Sequence, residues 1–311
     1  MKYAVIYNPN ARNSKKLSCE RIAEIIKEKG MESLIYKTTR RGEAIELAAT
    51  AVSEGASRIY PAGGDGTLNE VVSGLMKLSD EKPGLVLPIV CPIPLGTVNV
   101  FSKETGFSED PEKAFLSSFS ACEEAIDIGQ CNDRFFILMT SAGFDGFIIN
   151  ELEKMIANKS NIKKFTGPLA YVIIGFQTLF TYAFPKLKIS ACSIFGKKEF
   201  IGDFVVVSNS KFYGGKFILN PAVKMNDGFL DVLIFNSRSR FEFLKFFCMV
   251  MAKKTVFKGL DVKCVPVKSC DIEYLSKDGG FTYSQIDGEL YEQPPLKIRT
   301  RERALKILSC I

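Results

Sequence analysis

Along the first 120 residues the hydrophobic and polar positions switch repeatedly between two periods. "YAVIYNP" (3–9) is a short apolar, β-rich run closed by Pro9, which predicts a strand. In "LSCERIAEIIKEKG" (17–30), Ile22, Ile25 and Ile26 recur at helical spacing and Gly30 supplies a stop. "SLIYKTT" (33–39) reads as a strand, and "GEAIELAATAVSEG" (42–55) as a helix that again ends in glycine. "SRIYPAGGDGT" (57–67) is a strand running into a glycine loop. "TLNEVVSGLMKL" (67–78) then places Leu68, Val71, Val72, Leu75 and Met76 on one helical face. "GLVLPIVCPIP" (84–94) predicts a further strand and "LGTVNVFSKETG" (95–106) a further helix. This β-α-β-α order implies a mostly parallel sheet covered by helices.

After about residue 122 the texture changes. "EEAIDIGQCNDRFFILMTSAGF" (123–144) reads as two strands about a turn. Short strand-like runs follow at 186–195, 199–209, 229–236, 261–269, 270–276, 281–289 and 296–300. Two helix-like inserts, near 167–184 and 239–252, interrupt them. The expected architecture is an α/β domain over residues 1–122 and a mainly β, sandwich-like domain over 123–311. "ALKILSCI" (304–311) reads as one more strand, able to join either domain.

Composition narrows the chemistry. The 311 residues are 46% apolar and 24% charged, which suits one large or two ordinary folded domains. The net charge of +6 favours anionic partners such as phosphates or an acidic membrane surface; it is too weak and dispersed to point to nucleic acid. Nine cysteines, an odd number without a C-x-x-C pair, argue against a disulfide framework and a structural zinc site, so reduced, buried thiols are expected. There is no histidine, which removes Ser-His-Asp and Cys-His nucleophile systems and H-E-x-x-H zinc sites. Acid–base work falls to Asp, Glu, Lys, Tyr or water. The N-terminal apolar run is too short for a signal peptide. The greasiest stretch, 168–184, is interrupted by Gln177, Thr178 and Thr181 and falls short of the roughly 18–20 apolar residues of a spanning helix. The expected location is the cytoplasm, with peripheral contact at the inner membrane face.

The glycine loop raises a question of its own. Gly63, Gly64, Asp65, Gly66 and Thr67 join a strand to a helix, where a plain turn needs one glycine or two. At the carboxyl end of a sheet strand, glycines admit backbone N–H groups close to a phosphate, and the helix N-terminus adds partial positive charge. Asp65 suits such a site where Mg²⁺ or water stands between it and the ligand. The plainer reading is a tight turn, with Thr67 and Glu70 forming a T-x-x-E capping box. Asn8-Pro9, Thr38-Thr39, and Gly96-Thr97 with Asn99 close three more strands. Together the four strand ends have the composition of a nucleotide cleft.

These stretches resemble a known family. "NPN" (8–10), "GGDGTLNEVV" (63–72), "PLGTVNVF" (94–101), "SAGFDG" (141–146), "VVVSNSKFYGGKFILNPAVKMNDGFLDV" (205–232) and "IDGE" (286–289) are similar, in order and spacing, to the diacylglycerol kinase catalytic-domain family, and more narrowly to its soluble bacterial lipid kinases. GGDGT alone is shared with NAD kinases and related phosphofructokinases; the later motifs separate this branch. The resemblance implies an ATP-binding first domain and a lipid-facing second one. It places ATP contacts on Asn8, Pro9, Thr39, Gly63, Gly64, Asp65, Gly66, Thr67, Glu70, Gly96, Thr97 and Asn99. It gives Asp65 the organisation of Mg²⁺ and water at the transferred phosphate. A structural metal falls on Asp227 with the carbonyls of Lys224 and Phe229, and the general base on Glu289. Without the resemblance, "IDGE" and "NDG" read as Asp-Gly turns. Two departures stand out: Arg12 where a glycine is common, and Val100 where many members have Asp.

The implied reaction is transfer of the γ-phosphate of ATP to a lipid hydroxyl, of diacylglycerol or a related glycerolipid or sphingoid. An NAD kinase and a catalytically silent lipid- or nucleotide-binding regulator are the alternatives. "RFEFLKFFCMVMAKKTVFKG" (240–259), apolar and then basic at Lys253, Lys254 and Lys258, reads either as a helix packed on the second domain or as a contact with anionic lipid. The same choice applies to 168–184, and either element would line an acyl-chain cleft. No nucleic-acid partner is expected, and a homodimer is the assembly to test.

Overall fold

The computed structural model describes residues 1–157, 174–194, 196–215, 217–237, 239–252, 260–275 and 280–311. Lys253, Lys254, Lys258 and the first part of the helix expected near 167–184 lie outside the described residues. The chain divides into two compact units, residues 1–128 with 302–311, and residues 129–301.

The first unit contains β1 (Lys2–Tyr7), α1 (Cys19–Glu28), β2 (Glu32–Lys37), α2 (Glu43–Ser53), β3 (Ala56–Gly63), α3 (Asp65–Glu81), β4 (Ile89–Val90), β5 (Ile93–Pro94), α4 (Val100–Glu104) and α5 (Pro111–Ser117). It alternates as the periodicity requires up to α3, after which the strand expected over 84–94 is split in two and a helix not expected, α5, follows α4. β1 pairs in parallel with β2 and β3, and β3 in parallel with β4 and β5. The Ser18 hydroxyl caps α1 by accepting the Arg21 N–H at 3.2 Å. The inward stripe Ile22, Ile25 and Ile26 packs with Val5, Tyr60, Ile93 and Phe115 in one core. α2 and α3 pack tightly because position 74 is glycine: a Cβ there would lie 2.5 Å from the Ile45 carbonyl oxygen.

β6 (Cys122–Cys131) leads out of this unit into β7 (Arg134–Phe136), β8 (Met139–Gly143) and α6 (Phe144–Ala157). There follow β9 (Leu187–Ser193), β10 (Gly196–Gly202), β11 (Phe204–Ser208), β12 (Phe212–Tyr213), β13 (Phe217–Ile218) and β14 (Leu230–Phe235). α7 (Arg240–Met251) precedes β15 (Val262–Val267), β16 (Ser269–Tyr274), β17 (Tyr283–Ile286), β18 (Glu289–Tyr291) and β19 (Leu296–Ser309).

The second unit is a β-sandwich. One antiparallel sheet runs β10-β9-β16 and on to the first half of β19; the other runs β15-β14-β11-β8-β17-β18. Strand alternation fills the space between them: Val205 and Val207 of β11 face Leu187, Ile189, Ile272, Leu296 and Ile298. The neighbouring residues Phe204 and Val206 face the other way. They pack with Phe144 and Ile148 of α6, Leu179, Tyr182, and Phe243 and Phe246 of α7.

Three sequence readings are corrected. "LKIRT" and "ALKILSCI" are one strand, β19, bent at Arg303 (φ 45°), whose N–H donates to Asp127 at 2.7 Å. The bend breaks the alternation, which is why the stretch reads as two. Its end returns to the first unit, where Ile307 pairs in parallel with Val90. The division also falls after Ile128, later than the expected 122. The thiols are the third correction: all nine cysteines are free, but Cys122, Cys192, Cys248 and Cys310 are exposed. No helix among the described residues is long and apolar enough to cross a membrane.

Candidate active site

The glycine loop is built for close approach. β3 ends at Gly63, α3 starts at Asp65, and no side chain caps the helix at Gly64. The loop after β5 lies against it. Gly96 N–H donates to the Gly63 carbonyl at 3.0 Å, and a Cβ on Gly96 would stand 2.5 Å from Gly64 Cα. A Cβ on Gly63 would collide with the Thr67 hydroxyl at 2.3 Å. The glycines therefore let two strand-end turns touch through their backbones. The first-turn N–H groups of α3 have no carbonyl inside the helix to accept them.

Asp65 ties the two turns together. Its carboxylate accepts the N–H groups of Val100 at 3.0 Å and Phe101 at 3.2 Å, so it caps α4 from 35 and 36 residues away. Asn99, in the left-handed region at φ 52°, gives α4 no side-chain cap of its own. Instead its amide brackets Gly96, accepting that N–H at 2.9 Å and donating to its carbonyl at 3.1 Å. Burial pushes the Asp65 pKa above the ordinary carboxylate value, against the pull of the Val100 and Phe101 N–H groups and of Lys103. Each carboxylate oxygen accepts one N–H and has a second lone pair for water or an ion.

The T-x-x-E capping box does not form, because α3 begins at Asp65, two residues before Thr67. The Thr67 hydroxyl accepts from Asn8 Nδ2 at 3.3 Å, joining the first strand end to the third. Glu70 leaves its own helix and accepts the N–H groups of Gly42 (2.8 Å) and Ala44 (3.2 Å), the start of α2. Thr39, after β2, donates its hydroxyl to Glu43 at 3.0 Å. Pro9 and Thr97 are exposed, and Gly66 is half-buried in the first turn of α3. Sequence reasoning missed Asn13, which donates Nδ2 to the Gly96 carbonyl at 2.8 Å and its own N–H to Leu95 at 2.9 Å. Nothing in its local pattern marks it.

In the second unit, "IDGE" is a two-residue hairpin turn from β17 to β18. Asp287 (φ 47°) and Gly288 (φ 86°) both take positive φ, as this turn demands, and Ile286 pairs with Glu289. The Asp287 carboxylate accepts the N–H groups of Ile137, Leu138 and Met139, each at 2.9 Å. Asp287→Ala is expected to leave three N–H groups without their acceptor and to lower stability by about 2–4 kcal/mol in a denaturant titration. A loss below about 0.5 kcal/mol would show the anchor to be dispensable. Glu289 follows at the strand start, half-buried, with Arg134 Nη2 at 3.2 Å from Oε2; the Arg134 guanidinium also lies 5.6 Å from the centre of the Tyr291 ring. The pair fixes the orientation of the carboxylate.

Asp227 is exposed in the turn before β14 and accepts the Phe229 N–H at 3.1 Å, with Gly228 at φ 80°. Lys224 is exposed nearby in sequence, and Phe229 stacks under the Lys268 ammonium, 4.4 Å from its ring centre. Among the described residues no three Asp, Glu or Cys side chains gather as metal ligands. A hard cation here would rest on at most two carboxylates, Asp227 and its charge neighbour Asp231, and on backbone carbonyls, a donor set that suits Mg²⁺ or Ca²⁺.

Asp145, in "SAGFDG", is buried at 4% exposure and accepts from Ser141 Oγ (2.6 Å), Gly146 N–H (2.7 Å) and the Tyr213 hydroxyl (3.2 Å). Desolvation pushes its pKa up to about 6. A carboxyl raised in the folded state stabilises fully below the ordinary value of 3.8, and that contribution is lost as pH rises through about 6. Between pH 4 and 7 the wild type is expected to lose roughly 2–3 kcal/mol relative to Asp145→Asn. Parallel stability–pH curves for the two proteins would contradict this.

The chain matches two family models: "Diacylglycerol kinase catalytic domain" over residues 2–131, and "YegS C-terminal NAD kinase beta sandwich-like domain" over residues 140–309. It is 32% identical to the diacylglycerol kinase of Bacillus subtilis over 79% of this chain and 78% of that protein. It is 29% identical to a Chromohalobacter salexigens protein named "Probable lipid kinase YegS-like", over 67% of this chain and 63% of that protein. A diacylglycerol kinase crystal structure from Bacillus anthracis superposes with a TM-score of 0.73 at 22% identity, covering 99% of this chain and 96% of that one. That similarity bears on the fold.

Proposed function

We propose, on the premise that the chain belongs to the diacylglycerol kinase catalytic-domain family of lipid kinases, that it moves the γ-phosphoryl group of ATP onto a lipid hydroxyl, with diacylglycerol or a related glycerolipid as acceptor. The observation that carries this reading is the backbone contact of Gly64 with Gly96 beside an α3 N-terminus that no side chain caps. It leaves N–H groups at the end of a parallel sheet, the arrangement that receives phosphate oxygens.

In this reading Gly63, Gly64, Gly66 and Thr67 receive the ATP phosphates, with Asn8, Thr39, Gly96, Thr97 and Asn99 around the nucleotide. Glu70 holds the start of α2 in place. Asp65 fits an Mg²⁺–water shell through its remaining lone pairs, and Mg²⁺ bound with ATP supplies charge neutralisation at the phosphates. Asp227, with the carbonyls of Lys224 and Phe229, is the place for a second, structural cation. Glu289, oriented by Arg134, accepts the acceptor's hydroxyl proton as the new oxygen–phosphorus bond forms and the bond to ADP breaks. Phosphoryl transfer asks little else of a protein than positioning and charge, which accommodates a chain without histidine. We place the protein in the cytoplasm, working at the inner membrane face.

The test is to supply ATP with a total lipid extract in one tube and NAD in another. Phosphorylation in the lipid tube alone supports the reading, and phosphorylation of NAD alone overturns it. ATP binding without transfer to either points to a silent regulator.

A further inference from the structure

Among the described residues of the second unit four phenylalanine rings stand in solvent: Phe241 on α7 at 80% exposure, and a separate group of Phe176 at 56%, Phe180 at 54% and Phe281 at 72%. Residues 174–182 present two faces. Ile174, Leu179 and Tyr182 are buried against Phe144 and Phe243. Phe176 and Phe180 lie outside, their rings edge to face with centroids 5.8 Å apart. Phe281 belongs to the same neighbourhood. The Tyr182 hydroxyl donates to Thr282 at 2.6 Å, and a Cβ on Gly280 would lie 3.0 Å from the Ala183 Cβ. Residues 174–185 and 280–283 carry no charged side chain. Single exposed apolar residues are ordinary on a protein surface; three clustered aromatic rings on an uncharged stretch mark a place of contact.

We propose that Phe176, Phe180 and Phe281 form the surface through which this protein enters a phospholipid bilayer, their rings settling at the boundary between headgroups and acyl chains. The choice of a bilayer as occupant rests on the lipid-kinase reading, whose acceptor hydroxyl resides in one. The chemistry of the patch agrees. Aromatic rings interleaved with Gln177, Thr178 and Thr181 suit a boundary that is apolar on one side and wet on the other. The net charge of +6 draws the chain toward an anionic leaflet.

The chain has no tryptophan, so one introduced ring reports alone. Phe176→Trp and Phe281→Trp are expected to shift their emission to the blue with phosphatidylcholine–phosphatidylglycerol vesicles, and to be quenched by lipids brominated on the acyl chain. Val86→Trp, placed at an 88% exposed position of the first unit, is expected to do neither. A Phe176→Ser, Phe180→Ser, Phe281→Ser protein should lose roughly a hundredfold in vesicle binding. Its transfer to vesicle-embedded diacylglycerol should fall in parallel, while transfer to a water-soluble, short-chain diacylglycerol stays as in the wild type. Unshifted reporters in protein that sediments with vesicles would overturn the proposal, as would no vesicle binding at all. Reporters that shift with protein concentration and not with lipid would also overturn it, giving the patch to a second copy of the chain. Ring insertion without phosphorylation of any lipid would uphold the docking surface and sink the kinase reading.

Discussion

Glu289→Gln is expected to lower kcat for lipid phosphorylation by about 10²–10⁴-fold, the usual worth of a positioned general base, while KM for ATP changes little. The substitution keeps the size and shape of the side chain. It removes the one property the mechanism uses, a carboxylate able to take a proton. The turn beneath it should be undisturbed, because Asp287 and not Glu289 holds the hairpin to residues 137–139. Arg134 loses its charged partner, but this pair is partly exposed, with 34% and 27% side-chain exposure, and such pairs contribute little to stability. Activity and stability should therefore separate: kcat collapses while the denaturation midpoint moves by little. A variant that keeps kcat within threefold of the wild type would place the base elsewhere.

Asp65→Asn is expected to damage both activity and local structure. The wild-type carboxylate accepts two N–H groups at the start of α4. An asparagine offers one oxygen; its NH₂ would face the other N–H, donor against donor. That costs about 1–3 kcal/mol. The same change removes the negative charge proposed to organise Mg²⁺ and water at the phosphates, which should lower turnover at least a hundredfold. Turnover measured with and without a stabilising osmolyte separates the two effects. If α4 alone were disturbed, activity would recover under stabilising conditions; loss of the carboxylate's charge would persist. Full turnover in a stable Asp65→Asn protein would show that Asp65 serves only as the cap of α4.

How much of this was legible in the sequence depended on range. Strand and helix alternation from β1 to α3 is written in local periodicity, and the structure follows it there. Beyond it the strand read at 84–94 is two two-residue strands, β4 and β5, the helix read at 95–106 shrinks to α4, and α5 goes unread. The Asp-Gly pair at 287–288 announces a tight hairpin because few residues accept two successive positive φ angles. The crowding of glycines around 63–66 was visible, but its cause was not: Gly64 is small because Gly96 comes against it. Likewise Glu70 looked like half of a capping box, and instead serves a helix that starts 26 to 28 residues earlier. Arg134 and Glu289 meet across 155 residues of sequence. No window short enough to show periodicity can contain such pairs. β19 failed to read as one strand for the opposite, local reason that Arg303 breaks its alternation.

Lipid phosphorylation by this chain can be measured directly. The most direct test is to incubate purified protein with Mg²⁺ and ATP labelled at the γ-phosphate, using diacylglycerol in mixed micelles, and to count label in the organic phase. Label should appear there with the wild type and vanish with both Asp65→Asn and Glu289→Gln. An organic phase that stays unlabelled across diacylglycerol, related glycerolipids and sphingoid acceptors, from protein that binds ATP, would contradict the lipid-kinase reading.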